Sequence, residues 1–132
     1  MTGALKELIK FRLEQAEESL QSSRILLDHQ KYRPSVSRSY YAMFYAVLAL
    51  LATGDKSTSK HSGIISLFDR KYVKNGIFAK DYSKWLHEAF DLRQRADYRE
   101  MFKISFERAK TVLENATSFV AAINDHIESN FM

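Results

Sequence analysis

The sequence contains no cysteine, and this absence excludes several classes of site. A chain without thiols cannot form disulfides, thiolate zinc sites or iron–sulfur clusters, and it has no cysteine nucleophile. Glycine and proline are also scarce, with four and one among 132 residues, which excludes collagen-like and Gly/Pro-rich low-complexity classes. The lack of cysteine suits a reducing compartment, so we expect a cytoplasmic protein.

Long hydrophobic runs are missing as well. The longest, YYAMFYAVLALLA at 40–52, has thirteen residues, whereas a membrane-spanning helix needs about twenty. The first fifteen residues contain glutamates and no continuous apolar stretch, unlike a signal peptide. We therefore expect no membrane association and a single domain over residues 1–132, since the length and the 45% hydrophobic content are those of one compact unit.

Apolar residues recur at steps of three and four along most of the chain, and this spacing predicts helices. A long first helix leads to a second one that has Pro34 in its first turn and Gly54 as a left-handed stop. A short third helix ends at the KNG of 74–76, and a fourth begins near Asp81. The last helix has the most regular apolar stripe, from Phe106 to Ile127.

No segment alternates with the period of two that a strand requires. Long helices joined by short turns pack as antiparallel neighbours. The predicted fold is therefore all-α, an up-and-down four-helix bundle with an additional short helix.

Metal and cofactor sites are not predicted. His29, His61, His87 and His126 are far apart in the sequence, and none belongs to a helical pair with ligand spacing. The four glycines are scattered, so no loop of the kind that cradles a nucleotide cofactor is present. We expect no metal and no cofactor.

The most polar stretch, RQRADYRE at 93–100, follows an amphipathic run directly. Arg93 and Asp97 are four residues apart and can form a surface ion pair that contributes only a few tenths of a kcal/mol. Alternatively, Arg93 and Arg95 present cationic donors to phosphate, and Tyr98 offers a ring and a hydroxyl. The net charge of +4 and the pI of about 9.3 favour polyanions only modestly, so both interpretations stay open.

Two further stretches contain candidate binding residues. Arg38 precedes a dense aromatic run, which is either a core helix rich in tyrosine or a binding surface. Lys60 and His61 stand at the start of the third helix, where free N–H groups attract anions, although Ser59 can simply cap that helix. Seventeen aromatic residues suggest more stacking surface than one small core uses, and hence a dimer interface.

Three of these stretches together resemble the HEPN domains, small helical proteins of prokaryotes, and in particular the branch found beside minimal nucleotidyltransferases. The resemblance covers residues 8 to 125. It rests on RSYYAMFYA at 38–46, on KHSG at 60–63 followed by FDRKYVKNG at 68–76, and on LRQRADY at 92–98.

The resemblance implies a four-helix bundle with a short extra helix, a symmetric homodimer, and either ribonuclease toxin activity or binding of nucleotide or RNA. In the ribonuclease members an arginine is followed after four to six residues by a histidine. Arg93 matches the arginine, but positions 98 to 100 hold Tyr98, Arg99 and Glu100. The imidazole that would act as acid, base or phosphate ligand is therefore missing from the motif, which favours binding over cleavage.

The predicted function is binding of nucleotide or RNA by the toxin half, or a degenerate toxin, of a toxin–antitoxin pair. Its implied partner is a nucleotidyltransferase that adds nucleotides to a tyrosine, for which Tyr98 is the candidate acceptor by position. One alternative is a metal-independent endoribonuclease at a dimer cleft, in which Arg93 orients phosphate, Tyr98 donates a hydrogen bond and His61 supplies the imidazole. Another is a structural helical adaptor, for which Arg93 and Tyr98 would be dispensable.

Overall fold

The computed structural model describes residues 2–54, 61–98 and 101–132, and within these ranges it contains helices and no strand. The helices are α1 (Gly3–Asp28), α2 (Tyr32–Thr53), α3 (His61–Phe68), α4 (Lys80–Tyr98) and α5 (Phe106–Phe131). A π-helical turn, Asp69–Val73, continues α3. The all-α class predicted from the apolar spacing is confirmed.

The four long helices form a bundle around α2. This helix packs against α1, α4 and α5, while α5 also packs against α1 and α4. The short α3 lies to one side, in contact with α2, α4 and the π turn. In the described part of the chain, no helix has an apolar stretch sufficient to cross a bilayer.

Helix α2 is the most buried element, with twelve of its 22 residues inside the core. Ala42, Ala46 and Ala49 are fully buried, and such small side chains allow neighbouring helices to approach closely. Tyr40 is also fully buried and Phe44 is 8% exposed. The core therefore fixes the backbone of α2 on which both aromatic rings are carried.

A cluster of three buried serines joins α1 to α2. The Ser23 Oγ lies 2.9 Å from the Ser35 carbonyl oxygen and 2.7 Å from the Ser39 Oγ. The Ser35 hydroxyl in turn donates to the Ser23 carbonyl oxygen at 3.0 Å. Because each hydroxyl has a partner, these polar groups are buried without an unsatisfied hydrogen bond.

Replacing Ser23 with alanine is expected to lower the free energy of unfolding by about 1 to 3 kcal/mol, since the Ser39 hydroxyl would lose its buried partner. Urea denaturation followed by circular dichroism measures this change. Ser118→Ala on exposed α5 surface is the matched control and should remain within about 0.5 kcal/mol of wild type. Equal midpoints for the two variants would show that the serine cluster does not hold α1 and α2 together.

The helix ends differ from the prediction at Gly54. Its φ is −100°, so it does not end α2 in the left-handed conformation. Instead its N–H donates to the Leu51 carbonyl oxygen at 3.1 Å, closing a tight final turn that needs no positive φ. Pro34 does lie in the first turn of α2, and Gly76, at the end of the KNG stretch, has a φ of +78°.

Candidate functional site

The arginine of the polar stretch lies against two tyrosines of α2. The Arg93 Cζ is 5.6 Å from the centroid of the Tyr40 ring and 5.1 Å from that of Tyr41. A guanidinium at this distance from an aromatic face is attracted by the ring quadrupole, more strongly where water is excluded. The Arg93 side chain is only 19% exposed, so α4 holds it in a fixed, partly dry position.

A second arginine shares one of these rings. The Arg38 Cζ lies 4.9 Å from the centroid of the Tyr41 ring, so Tyr41 stands between two guanidinium groups. We call Arg38, Tyr40, Tyr41, His61 and Arg93 the Arg93 cluster. It joins the first half of α2 to the C-terminal half of α4 and the first residue of α3.

His61 completes the cluster from the start of α3. Its Nδ1 is 2.9 Å from the Tyr40 hydroxyl oxygen, within hydrogen-bond distance. Its ring also stacks on Phe44, with centroids 4.1 Å apart and planes inclined by 18°. The hydrogen bond and the stacking together fix both the position and the plane of the imidazole.

The surroundings shift the pKa values of His61 and Tyr40 in opposite directions. Burial, and secondarily the charge of Arg93, lowers the pKa of His61. Burial raises the pKa of the Tyr40 hydroxyl far above its ordinary value, although Arg93 opposes this change. At neutral pH the pair therefore consists of a neutral imidazole and a protonated phenol, which is a form able both to accept and to donate a proton.

Two arrangements of the protons are compatible with this geometry. If the Tyr40 hydroxyl donates to Nδ1, the Nε2 of His61 bears the hydrogen and acts as a donor. If Nδ1–H donates to Tyr40, the Nε2 is an acceptor and the phenol O–H remains available as a donor. Only the second arrangement leaves the Nε2 of His61 free to accept a proton from a ligand.

The lowered pKa of His61 predicts a pH dependence of stability. The unfolded chain takes up a proton at His61 as pH falls through about 6.5, whereas the folded state resists protonation until a lower pH. This contribution to the free energy of unfolding is thus present above pH about 6.5 and is lost progressively below it. Urea midpoints at pH 7.5 and 5.5 should differ less for His61→Asn than for wild type.

Exposed His29 provides the matched control for that measurement. His29→Asn removes an imidazole from the end of α1 and should keep the wild-type difference between the two pH values. An unchanged difference in His61→Asn would contradict the account of a partly buried, neutral imidazole.

The ion pair considered for Arg93 is also present. The Arg93 Nε lies 3.5 Å from the Asp97 Oδ2. This nitrogen is buried and makes no hydrogen bond to any described residue. The contact is therefore an electrostatic one and not a hydrogen bond. The ion pair and the cation–aromatic contacts coexist, so the surface-pair interpretation describes only part of the surroundings of Arg93.

A cleft of about 470 Å³ adjoins the Arg93 cluster on the side of Asp97. It is bounded by the start of α2, the end of α4 and one residue of α1. Arg33 fixes its wall by donating from Nη2 to the Ala96 carbonyl oxygen at 2.8 Å. The lining residues are Leu26, Arg33, Pro34, Ser37, Arg38, Ala96 and Asp97.

The other predicted site residues lie apart from the cluster or outside the described ranges. Arg95 is paired with Asp91 at 2.9 Å, and it lies two residues from Arg93, hence on another side of α4. Tyr98, at the last position of α4, is 79% exposed. Lys60 and the Ser59 cap fall outside the described residues, so the structure brings together only Arg38, His61 and Arg93 of the candidates.

Sequence reasoning missed the role of the tyrosines. The sequence analysis treated the aromatic run after Arg38 as a whole and singled out neither Tyr40 nor Tyr41. The adjacent pair of tyrosines after Arg38 was the available signal, because a core seldom needs two consecutive phenols with hydroxyls to satisfy.

No metal centre is formed by the residues that the structure describes. Within these ranges there is no group of three or more histidine, aspartate or glutamate side chains that could hold an ion. The chemistry of the Arg93 cluster is therefore considered from its own cations, phenols and imidazole.

The protein is a small helical bundle in which a partly buried arginine of α4 lies beside two adjacent tyrosines of α2. The chain belongs to the HEPN family, since the model of the HEPN domain matches residues 9–126. The resemblance seen in the sequence over residues 8 to 125 is confirmed by this match.

Relatives in prokaryotes match nearly the whole chain. A UPF0332 protein of Thermotoga maritima is 35% identical over 123 residues, or 93% of each sequence. Two relatives in Methanocaldococcus jannaschii bear the names "Putative toxin MJ0605" and "Putative toxin MJ0142". They are 34% and 36% identical and cover 90% and 87% of this chain, corresponding to 88% and 78% of their own lengths.

Proposed function

We propose that this HEPN protein binds the phosphate of a nucleotide or single-stranded RNA at the Arg93 cluster, as the toxin half, or a degenerate toxin, of a toxin–antitoxin pair in the cytoplasm. The observation that carries the proposal is the pair of guanidinium groups, Arg38 and Arg93, on the Tyr41 ring. The names of the two Methanocaldococcus relatives support the toxin role.

Charge balance at the cluster favours an anion. Arg38, Arg93 and nearby Arg33 are three cations, and the cleft beside them is lined by a single carboxylate, that of Asp97. Like charges held close together in a partly dry site repel one another, and a bound phosphate relieves that repulsion. Planar guanidinium groups can also bind phosphate oxygens through two parallel hydrogen bonds.

The tyrosines add a feature suited to nucleic acid. Tyr41 and Tyr45 are only partly buried, and their ring centroids are 5.9 Å apart along α2. Partly exposed rings beside fixed cations suit a single strand, because a base can stack on a ring such as that of Tyr45 while phosphates contact the cations. This supports RNA or a nucleotide as the ligand in preference to an inorganic anion.

A metal-independent endoribonuclease is the second candidate, and the hydrogen bond between His61 and Tyr40 favours it. His61 Nε2 would accept the proton of a ribose 2′-hydroxyl while the 2′-oxygen attacks the adjacent phosphorus. The bond from phosphorus to the 5′-oxygen would break, and a solvent water would give that leaving oxygen its proton, while the fully buried Tyr40 only positions the imidazole. Arg93 would stabilise the negative charge on the phosphoryl oxygens.

A cleavage assay without metal separates these two candidates. Labelled single-stranded RNA is incubated with wild type, His61→Ala and Arg93→Ala in EDTA, and both RNA length and retained RNA are measured. We expect wild type to retain intact RNA. Cleavage that is lost in His61→Ala would establish the ribonuclease instead, whereas a wild type that neither binds nor cuts RNA would overturn both.

Dimerisation is part of the proposal, because in this family the site lies at a cleft between two subunits. Four aromatic rings are exposed in the described ranges, those of Phe11, Tyr98, Phe106 and Phe131, and they offer surface for an interface. A light-scattering mass near 15 kDa at micromolar concentration would exclude the dimer.

The resemblance to the HEPN branch found beside minimal nucleotidyltransferases is the reason for proposing such an enzyme as the partner. Tyr98 is the proposed acceptor. Its 79% exposure at the end of α4 gives an enzyme free access to the hydroxyl. The hydroxyl oxygen would attack the α-phosphorus of a nucleoside triphosphate and release pyrophosphate. Intact-mass analysis after incubation with such an enzyme and ATP should show added nucleotides on wild type and none on Tyr98→Phe.

The structural adaptor remains the simplest competing account. It assigns no ligand to the Arg93 cluster and predicts that Arg93→Ala and Tyr98→Phe change neither RNA binding nor partner binding. Salt-dependent RNA binding that disappears in Arg93→Ala would exclude it.

A further inference from the structure

Positive charge is concentrated in one part of the chain that the Arg93 cluster does not use. Residues 66–87 contain five lysines and arginines but only two aspartates, in a chain whose whole net charge is +4. This stretch includes the FDRKYVKNG motif at 68–76, to which the proposed function assigns no role. It folds into the end of α3, the π turn and the start of α4.

These elements enclose a second groove, of about 750 Å³, which we call the π-turn groove. Three of its lining side chains are cations, Arg70, Lys74 and Lys80, and all three residues are exposed. Ser66 and Ser83 add hydroxyl donors to the lining. Cations and hydroxyls are the groups with which proteins hold the phosphates of a nucleic-acid backbone.

The cations of the groove lack a fixed counterion within the described part of the chain. Among the described residues, no carboxylate lies within ion-pair distance of Arg70, Lys74 or Lys80. The carboxylate that does line the groove, Asp69, is engaged by His87, whose Nε2 lies 2.6 Å from its Oδ2. The groove therefore presents a net positive surface to a ligand.

Contacts with the core hold the π turn in place. The Tyr72 hydroxyl donates to the Leu50 carbonyl oxygen at 3.4 Å, and its ring stacks on Phe68. The N–H of Phe78 donates to the Tyr72 carbonyl oxygen at 2.9 Å. These contacts fix the backbone positions from which the cations of the turn extend, so binding a ligand orders side chains but not the turn itself.

We propose that the π-turn groove is a second contact for the phosphate backbone of a single RNA strand whose other contact is the Arg93 cluster. The inference rests on the proposed function. His61 and Arg70 are nine residues apart on one continuous helical segment, a separation of about 14 Å, and Lys80 and Arg93 are about 20 Å apart along α4. These spacings correspond to about two and a half and about three and a half helical turns, so the two contacts lie on different sides of the helices. A strand of several nucleotides has to pass around them to reach both.

The composition of the groove favours RNA backbone over an acidic protein. Among the described residues that line it, Val73 is the one apolar side chain and none is aromatic. Protein interfaces obtain most of their affinity from buried aromatic and aliphatic anchors, which this surface does not offer. Without rings or amides to read bases, the contact is expected to be independent of RNA sequence and strongly dependent on salt.

Binding of labelled oligouridine, measured by fluorescence anisotropy over a range of salt concentrations, tests the inference. The groove variant is Arg70→Gln with Lys74→Gln, and the control of equal net charge is Lys6→Gln with Lys10→Gln on exposed α1 surface. For a 12-mer, the groove variant should bind at least fivefold more weakly than the control. The slope of log K against log salt should decrease in magnitude by about 1.4, at about 0.7 for each lost phosphate contact.

A 3-mer, too short to reach both contacts, should bind the groove variant and the control equally. If the groove variant binds the 12-mer as tightly as the control, or loses both oligomers equally, the second contact is refuted while RNA binding at the Arg93 cluster stands. If wild type binds neither oligomer, the proposed function itself fails. Equal competition by an oligoglutamate peptide of the same charge would refute the assignment to RNA.

Discussion

Replacing Arg93 with alanine is expected to weaken the binding of single-stranded RNA by about thirtyfold. The variant removes a guanidinium that contacts the Tyr40 and Tyr41 rings, and with it the hydrogen bonds to phosphate that the proposed function assigns to Arg93. A hydrogen bond to a charged group contributes about 1.5 to 3 kcal/mol, and about 2 kcal/mol corresponds to this factor. Fluorescence anisotropy with a labelled oligomer at fixed salt measures the loss.

Two matched variants distinguish position from charge. Arg95→Ala removes the same charge two residues away, where Arg95 is paired with Asp91, and should bind within about twofold of wild type. Arg93→Lys keeps the charge but lacks the planar fork, so its affinity should lie between those of wild type and Arg93→Ala. Equal losses for Arg93→Ala and Arg95→Ala would mean that only net charge matters, and the Arg93 cluster would not be the site.

Phe44→Ala is expected to lower the free energy of unfolding by about 3 to 5 kcal/mol, the usual cost of removing a buried phenylalanine. Such a loss is large beside the 5 to 15 kcal/mol that stabilises most domains. Phe44 is 8% exposed, and its ring stacks on His61. Urea denaturation followed by circular dichroism gives the change directly.

The same substitution also tests how the imidazole is held. Because burial is the main cause of the lowered pKa of His61, opening the site beside it should raise that pKa toward its ordinary value. NMR titration of the His61 ring in the milder Phe44→Leu variant measures this even if the alanine variant unfolds.

Phe131→Ala, at the end of α5, is the control for the stability measurement and should lower the free energy of unfolding by no more than about 0.5 kcal/mol. A Phe44→Ala variant as stable as this control would contradict the packing described for α2.

Much of the fold followed from the sequence because apolar spacing reports which face of a helix is buried. The stripe from Phe106 to Ile127 predicted α5, and the KNG stretch predicted the end of the third helical segment. Gly54 was wrong in detail, since a glycine can end a helix in either of two conformations and the sequence does not distinguish them. The π turn was not predicted, because it lies at the end of its helical segment, where no further turn follows to reveal a shift in the apolar spacing.

The candidate site was less accessible to sequence reasoning. Arg93 and Arg38 were identified as cations beside aromatic residues, but their meeting at Tyr41 depends on how α2 and α4 pack. The contact of His61 with Tyr40 joins residues 21 positions apart, and no local pattern encodes such a distance. The pairing of Arg95 with Asp91 was missed for a simpler reason, namely that Arg95 was grouped with Arg93 by proximity in sequence and not by helical face.

The most direct test of the central claim is an NMR titration of the protein with a short single-stranded RNA, observing the Nε–H signal of Arg93 and the ring signals of His61. If the Arg93 cluster binds phosphate, both sets of signals should shift together and saturate, while the Nε–H of Arg95 changes little. If RNA shifts other signals and leaves those of Arg93 and His61 unchanged at saturation, the cluster is not the binding site.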